Sequence, residues 1–370
     1  MNPVLPYARA LLARNHEVLV AAPAQASELV RGAGLAHAPF DHPGDEQLAP
    51  IWARLSGKWT DDAMAIAARE IFAGANAAAA LPQLRATLAS FRPDLVVRES
   101  FEFGALVAAE RARVRHARIA VHSISFEEFI PPLIEQPIDA LRALAGLAPD
   151  HGAALRAEPV FSTFPASFDV VATESRMQAP FRLRSAEDRP SSPSAAWANS
   201  ADPRPLLYIS FGTLVGTNPQ ARSIYRTSLE AVAGLPVRAL LTTGQGVASD
   251  ALGTVPDNVH VEAYVPQREV LPHAAALVCH GGSGTLLGGL AAGLPMVIVP
   301  FGADQPHNAL LVAHAGVGLA LNQPDSGALA AAIGRVLDES EFRANARRLA
   351  EEIASLPTIE SAVDALLALS

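Results

Sequence analysis

A chain of 370 residues favours two domains over one, and with half its residues hydrophobic and 18% charged it has material for sizeable buried cores. A net charge of −9 argues against a nucleic-acid partner, which calls for clustered Lys and Arg. The single cysteine, Cys279, excludes an internal disulfide and fits a reducing cytoplasm. Met1-Asn2-Pro3 lacks the basic start and apolar segment of a secretion signal, and no uncharged apolar run reaches membrane-spanning length. Much Ala and Arg with little Lys resembles the composition of a high-GC bacterium.

The N-terminal half alternates helix-like and strand-like segments. Asn2 to Arg14 reads as a helix with Pro3 in its first turn, Glu17 to Ala22 as a strand, Gln25 to Gly32 as a short helix and Leu35 to Phe40 as a second strand. From Asp41 to Thr60 the Pro, Gly, Trp52 and Trp59 show no clear period and predict loop with short helices. Asp61 to Phe91 is alanine-rich and helical. Behind the breaker Pro93, Asp94 to Arg98 reads as a strand, Phe103 to Arg113 as a helix, Ala117 to His122 as a strand, and Phe168 to Ala172 as the last strand of this half. Strands separated by helices predict a parallel sheet covered on both faces.

Ser185 to Pro205 is rich in Ser, Pro and Asp and reads as an interdomain linker. Alternation then resumes, with strands at Leu206 to Phe211, Arg238 to Thr243, Val259 to Ala263, Ala276 to Cys279, Met296 to Val299 and Gly318 to Leu321. Helices follow at Ser326 to Leu337 and Phe342 to Ser355. Pro357 breaks the pattern before a last helix, Ile359 to Leu369. The expected division is residues 1–184, a linker at 185–205, residues 206–356, and a terminal helix within 357–370.

The stretch from Cys279 to Asn308 carries the chemistry. Behind the apolar run Ala276-Leu277-Val278-Cys279 comes His280-Gly281-Gly282-Ser283-Gly284-Thr285, where glycines permit a sharp turn, and Thr285 to Ala292 reads as a helix ended by Gly293. A strand, a Gly/Ser/Thr turn and a helix N-terminus form an anion site, with N–H groups and the helix dipole directed at phosphate. His280 adds a donor.

His280-Gly281-Gly282-Ser283-Gly284-Thr285, Gly293-Leu294-Pro295, Pro300, Asp304-Gln305 and Asn308 together resemble the nucleotide-sugar signature of the GT-B glycosyltransferases that decorate natural products. These include macrolide and enediyne antibiotic enzymes and the UDP-glycosyltransferases. The resemblance implies an α/β protein of two Rossmann-like domains facing across a cleft, the N-terminal one holding the acceptor and the C-terminal one the nucleotide sugar. The terminal helix would cross back to the N-terminal domain. It also implies no cofactor and no metal, in keeping with the lack of any Asp-x-Asp. The leaving diphosphate then needs helix dipoles, backbone N–H groups and a protonated or donating His.

In these terms His280, Gly282, Ser283, Gly284, Thr285 and Thr213 are expected at the diphosphate, and Thr243, Tyr264, Val265 and Gln267 at the base. Thr213 comes from Ser210-Phe211-Gly212-Thr213, similar to the family's SFGS/T turn, and Tyr264-Val265-Pro266-Gln267 looks like its base-binding turn. Asp304 and Gln305 are expected at sugar hydroxyls, since a carboxylate and an amide accept from and donate to neighbouring OH groups. Asp304 could instead, or as well, cap the following helix.

The general base is where the chain departs from the family pattern. Relatives carry it as a His in the loop after the first strand, directly before an Asn-Pro helix start, and this chain begins at Met1-Asn2-Pro3 inside that motif. The first strand of the N-terminal sheet is therefore expected to be missing, with Glu17 to Ala22 and Asp94 to Arg98 on either side of a slot. A mis-assigned start codon or a trimmed chain is the preferred account, and a shortened, non-catalytic protein the rival. Weaker candidate bases are Glu99, after the strand Asp94 to Arg98 and better suited to orient or pair with a base than to replace it, and His122, at the end of the next strand, which reads equally as a hydrogen-bonded structural His. Glu127 and Glu128 follow in the next loop. His16, His37, His42, His116, His151 and His314 have no metal-like spacing and read as surface residues.

The expected activity is inverting, metal-independent transfer from a dTDP- or UDP-sugar to a hydroxyl of a small apolar polyketide, enediyne or aromatic aglycone. Phe72, Phe101, Phe103, Phe126 and Phe129 would line the acceptor loops or simply pack the core. One rival is a catalytically impaired protein that binds nucleotide sugar or acts as a helper, and another a UDP-sugar epimerase on the related fold, against which the His280 to Gln305 signature argues. The oligomeric state stays open, a homodimer included.

Overall fold

The computed structural model describes residues 3–55, 61–170, 177–185, 202–212, 223–244, 247 and 252–369, and every strand pair in it is parallel. The chain divides into one unit of residues 1–164, 171–186 and 357–370 and another of 165–170 and 187–356. Residues 186–201 of the expected linker lie outside the described residues.

In the N-terminal unit β1 (Leu19–Pro23) pairs with β2 (Ala36–Phe40) as a two-stranded sheet. A second sheet has the order β3-β4-β5-β6, from β3 (Leu95–Glu99), β4 (Arg115–Ile119), β5 (Val160–Ser162) and β6 (Phe181–Arg182). Among the described residues no strand joins the two sheets, and β1 and β3, expected on either side of a slot, do not pair.

The helical run from Asp61 to Phe91 contains a π-helical segment at Ala67–Asn76. Over Asp62–Phe91 it is long and apolar enough by composition to cross a membrane, which amends the expectation from uncharged runs alone. Its small side chains Ala68, Ala73, Ala77 and Ala80 are buried against Phe103, Leu106, Ile134 and Ile138 of the helices Phe103–Ala112 and Ile130–Leu144. The last helix, Ile359–Leu367, packs Ala362, Val363 and Leu366 against Tyr7, Ile119 and Phe161. Arg14, just past the helix Leu5–Ala13, donates to Asp364 at 2.5 Å and to the Glu360 carbonyl at 2.9 Å.

Three expectations need correction here. Residues 168–170 form no strand: the N–H groups of Phe168 and Asp169 bond back to the Pro165 carbonyl in a turn, and the strands lie at β5 and β6 instead. Residues 171 and 172 of that stretch are outside the described residues. The strand expected to run to His122 ends at Ile119, because the N–H groups of Val121 and His122 are taken by the Glu127 carboxylate. The helix expected from Asn2, a residue outside those described, begins at Leu5 after a turn at Pro3 and Val4.

The C-terminal unit has one six-stranded sheet in the order β12-β11-β10-β7-β8-β9. The strands are β7 (Leu206–Ser210), β8 (Arg238–Thr242), β9 (Val259–Glu262), β10 (Ala276–Cys279), β11 (Met296–Ile298) and β12 (Gly318–Ala320). Every residue of β7 and β10 is buried, which is why both read as unbroken apolar runs. Leu207, Ile209, Val278 and Val297 pack with Ile224 and Leu229 of Ser223–Val232 and Leu329 and Ile333 of Ser326–Asp338. Chain order runs outward from β7 in both directions, so the order reverses between β7 and β10. In open α/β sheets ligands bind outside the carboxyl ends of the strands at that reversal.

Candidate active site

The register places Cys279 beside Ser210, so the two chains leaving the sheet at the reversal start level with one another. From β7 comes Gly212 at φ +81°, and from β10 come His280 and Gly281 at φ +83°. The imidazole of His280 lies against both neighbouring glycines. A Cβ on Gly282 would stand 2.4 Å from His280 Nε2, and one on Gly212 would stand 3.0 Å from it. The ring thus needs these glycines for its position, a role beyond chain flexibility. Burial pulls the His280 pKa below the ordinary imidazole value, against the opposing charge of Asp304. That shift favours the uncharged form of the ring at neutral pH.

The helix Ser283–Ala291 begins here with Gly282 as its N-cap and no side-chain cap, leaving its first-turn N–H groups without intrahelical acceptors. The surrounding side chains are tied together. Ser283 Oγ donates to Asp304 Oδ2 at 2.6 Å, and Asn308 Nδ2 donates to the same oxygen at 2.8 Å and to the Gly281 carbonyl at 2.8 Å. Gln305 Oε1 accepts from the N–H groups of Phe301 at 2.7 Å and Gly302 at 3.3 Å. Gln267 Nε2 donates to Thr285 Oγ1 at 2.8 Å.

Of the expected residues, the structure ties Ser283 to Asp304, Thr285 to Gln267 and His280 to Gly282, with some duties altered. Asp304 makes no side-chain cap on the helix Gln305–His314; its carboxylate is held by Ser283 and Asn308. The Gln305 carboxamide oxygen holds the loop before it. Thr243 is buried, its carbonyl accepting from Tyr225 Oη at 2.9 Å. Val265 is buried, whereas Tyr264 is 68% exposed, an aromatic face open to a ligand. Gly284 is exposed at the helix start. Thr213 lies outside the described residues.

In the N-terminal unit, Glu99 ends β3 and its Oε1 accepts from the Phe101 N–H at 2.9 Å. Burial, with Glu102 adding like charge, pushes its pKa up to about 7. The ring of His122 sits 5.3 Å from that of Phe101 and 5.1 Å from that of Phe126, with Nδ1 4.0 Å from Glu127 Oε1. The aromatics expected at the acceptor separate into three groups. Phe103 and Phe126 are core residues, Phe72 and Phe101 are half-buried and in contact at 5.1 Å, and Phe129 is 62% exposed. Glu128 is half-buried.

Glu127 is a buried clamp rather than a loop acid. It accepts from Ser100 Oγ, from Arg118 Nη1 at 2.6 Å and from the backbone N–H groups of Val121 and His122 at 3.1 and 3.2 Å. Behind it Arg98 pairs with Glu158, to which His116 Nδ1 also bonds at 3.1 Å. Burial raises the pKa of Glu158, but Arg98, His116 and Arg118 outweigh it and hold the carboxyl below its usual range. His116 is thus not a surface residue. Nor is His37, half-buried between Ser27 Oγ and the Ala22 carbonyl, each 3.1 Å away. His16, His42, His151 and His314 are exposed as expected. Nothing local in the sequence marks Arg98, Arg118 and Glu158 as partners.

A doubly wound parallel sheet with a glycine turn and a helix start at its reversal is the architecture of nucleotide-binding α/β enzymes. Residues 227–369 match the family described as erythromycin biosynthesis protein CIII-like, C-terminal domain. The chain is 30% identical over 373 residues to L-demethylnoviosyl transferase of Streptomyces niveus, spanning 96% of this chain and 91% of that protein. It is 30% identical over 326 residues to demethyllactenocin mycarosyltransferase of Streptomyces fradiae, spanning 81% and 68%. The solved glycosyltransferase SnogD from Streptomyces nogalater has a TM-score of 0.78 at 26% identity over 99% of this chain and 95% of that one. The glycosyltransferase VinC, solved in complex with dTDP, shares the fold with a TM-score of 0.79 at 21% identity over 99% and 95%. The chain belongs to the natural-product GT-B glycosyltransferases and is a glycosyltransferase.

Proposed function

We propose that the protein transfers a sugar from a dTDP- or UDP-sugar to a hydroxyl of a small apolar natural product, with inversion at the anomeric carbon, in the cytoplasm and without a metal. The observation that carries this is the loop set at the β7/β10 reversal. A neutral His280, packed on Gly212 and Gly282, stands at the uncapped start of Ser283–Ala291, with the Asp304 carboxylate tied to the same turn. Helix N–H groups and His280 stabilise the charge that develops on the diphosphate as its bond to the sugar breaks. Asp304 accepts from sugar hydroxyls through the oxygen that Ser283 and Asn308 leave available, and Tyr264 stacks beneath the base.

In a single displacement the acceptor oxygen bonds to the anomeric carbon, the diphosphate leaves with the electron pair, and a base takes the acceptor proton. Among the described residues we assign that base to Glu99. A carboxyl with a pKa of about 7 suits a general base at neutral pH. His122, between Phe101 and Phe126, lies on the acceptor side of the reaction in this reading. The L-demethylnoviosyl transferase and demethyllactenocin mycarosyltransferase named above, and the dTDP in the VinC complex, support this reading.

The test is calorimetry with dTDP and UDP on the parent and on His280→Ala, alongside turnover with a panel of sugar nucleotides and aglycones. The substitution should lower kcat by about 10²–10³, as removal of one donor to a developing anion does, with little change in melting temperature. Equal turnover by parent and variant would remove His280 from the diphosphate.

A further inference from the structure

We infer that Asn308 is a positioning residue for the donor sugar, acting through Asp304; this rests on the donor-site reading above. Asn308 has no exposed surface. It lies on the helix Gln305–His314, one turn beyond Asp304, and reaches back across 27 residues of sequence to the Gly281 carbonyl. Its two amide hydrogens go to two different parts of the site, one to the turn that faces the diphosphate and one to Asp304 Oδ2. Ser283 Oγ reaches the same Oδ2 from the start of the neighbouring helix. One carboxylate oxygen is thereby pinned by two donors, and that fixes the direction of the other.

The amide also bears a cost. Asn308 Oδ1 is buried with no hydrogen-bond partner among the described residues. An apolar side chain of similar size would avoid that unpaired acceptor but would take a donor from the Gly281 carbonyl and from Asp304 Oδ2. What an apolar residue cannot supply is a pair of donors at a fixed separation, bridging Gly281 and Asp304. The bridge makes the distance from the diphosphate turn to the sugar-facing carboxylate a property of one rigid side chain. It predicts selectivity for sugar nucleotide over free diphosphate, with Asn308 touching neither.

The experiment is a double-mutant cycle of Asn308→Ala and Asp304→Ala. It is read as the ratio of affinities for dTDP-glucose over dTDP and UDP-glucose over UDP, with kcat/KM and melting temperature measured on every variant. Asn308→Ala should cost about tenfold in the sugar-nucleotide affinity while changing diphosphate affinity much less, the scale of one lost hydrogen bond to a charged group. In the Asp304→Ala background the same substitution should cost almost nothing further, because the group it orients is gone. If Asn308→Ala does not fold, Asn308→Ser carries the same comparison. Equal losses for diphosphate and sugar nucleotide, or additive effects in the cycle, would overturn the inference and leave Asn308 as a packing residue. A parent chain that binds diphosphate but does not distinguish it from either sugar nucleotide would also overturn it, leaving the diphosphate site standing. A parent that binds neither diphosphate would overturn both readings.

Discussion

The two units build their functional ends by different means. In the C-terminal unit one six-stranded sheet brings loops to a single reversal point, and the side chains there are joined by hydrogen bonds between uncharged groups and one carboxylate, Asp304. In the N-terminal unit the described strands form two sheets, and the ends of β3 and β4 are held by buried ion pairs, Arg98 with Glu158 and Arg118 with Glu127. The first arrangement depends on backbone shape, which glycines and a helix start encode locally. The second depends on charges up to 60 residues apart in sequence finding each other out of water. The loop set of the C-terminal unit is therefore written in a contiguous motif, and the strand ends of the N-terminal unit are held by contacts written across the fold.

With the proposed function, the comparison predicts that nucleotide binding in the C-terminal unit separates from proton transfer and ion-pair stability in the N-terminal unit. The largest effect expected is on Glu99. Glu99→Gln should lower kcat by about 10²–10⁴, the usual worth of a general base, while dTDP and UDP affinity stay near the parent values. In the parent, kcat/KM should rise with pH through about 7, where Glu99 loses its proton, and level off above it. Turnover by Glu99→Gln within a few-fold of the parent would move the base elsewhere.

Next in size is a stability effect confined to the N-terminal unit. Glu158→Ala strips a buried carboxylate from Arg98 and leaves that guanidinium uncompensated, which should cost about 3–5 kcal/mol in urea denaturation. A loss below about 1 kcal/mol would mean that the pair does not hold the end of β3. Tyr264→Ala should do the reverse, weakening nucleotide binding by about 1–3 kcal/mol, as loss of a base-stacking face does, with the melting temperature unchanged. An unchanged dTDP or UDP affinity in calorimetry would take Tyr264 out of the base site.

The smallest effect is a pH slope. A carboxyl raised from 4.5 to about 7 on folding binds more protons folded than unfolded between those values. Its contribution to stability therefore falls as pH rises through that window. Thermal melts between pH 5 and 8 should show a shallower decline for Glu99→Gln than for the parent. Parallel curves would show that Glu99 titrates normally.

The sequence by itself determined the class and the local shape of the turn at the β7/β10 reversal. The central strands β7 and β10 are unbroken buried apolar runs, and all six strands of the C-terminal sheet were readable to within a residue or so. The glycine and hydroxyl pattern from His280 to Thr285 specifies a turn through backbone sterics alone. Tertiary structure decided what each side chain does there. Gln305 spends its oxygen on Phe301 and Gly302, Asp304 is held by Ser283 and Asn308 instead of capping its helix, and Gly212 and Gly282 shape a seat for His280. In the N-terminal unit it decided more. The strand after Arg115 stops at Ile119 because Glu127 takes the next N–H groups, Pro165 turns residues 168–170 out of a strand, and His116 is drawn inside by Glu158. A turn or an apolar run is a property of neighbours in the chain. A buried charge is stable only beside its partner, and only the folded chain brings that partner near.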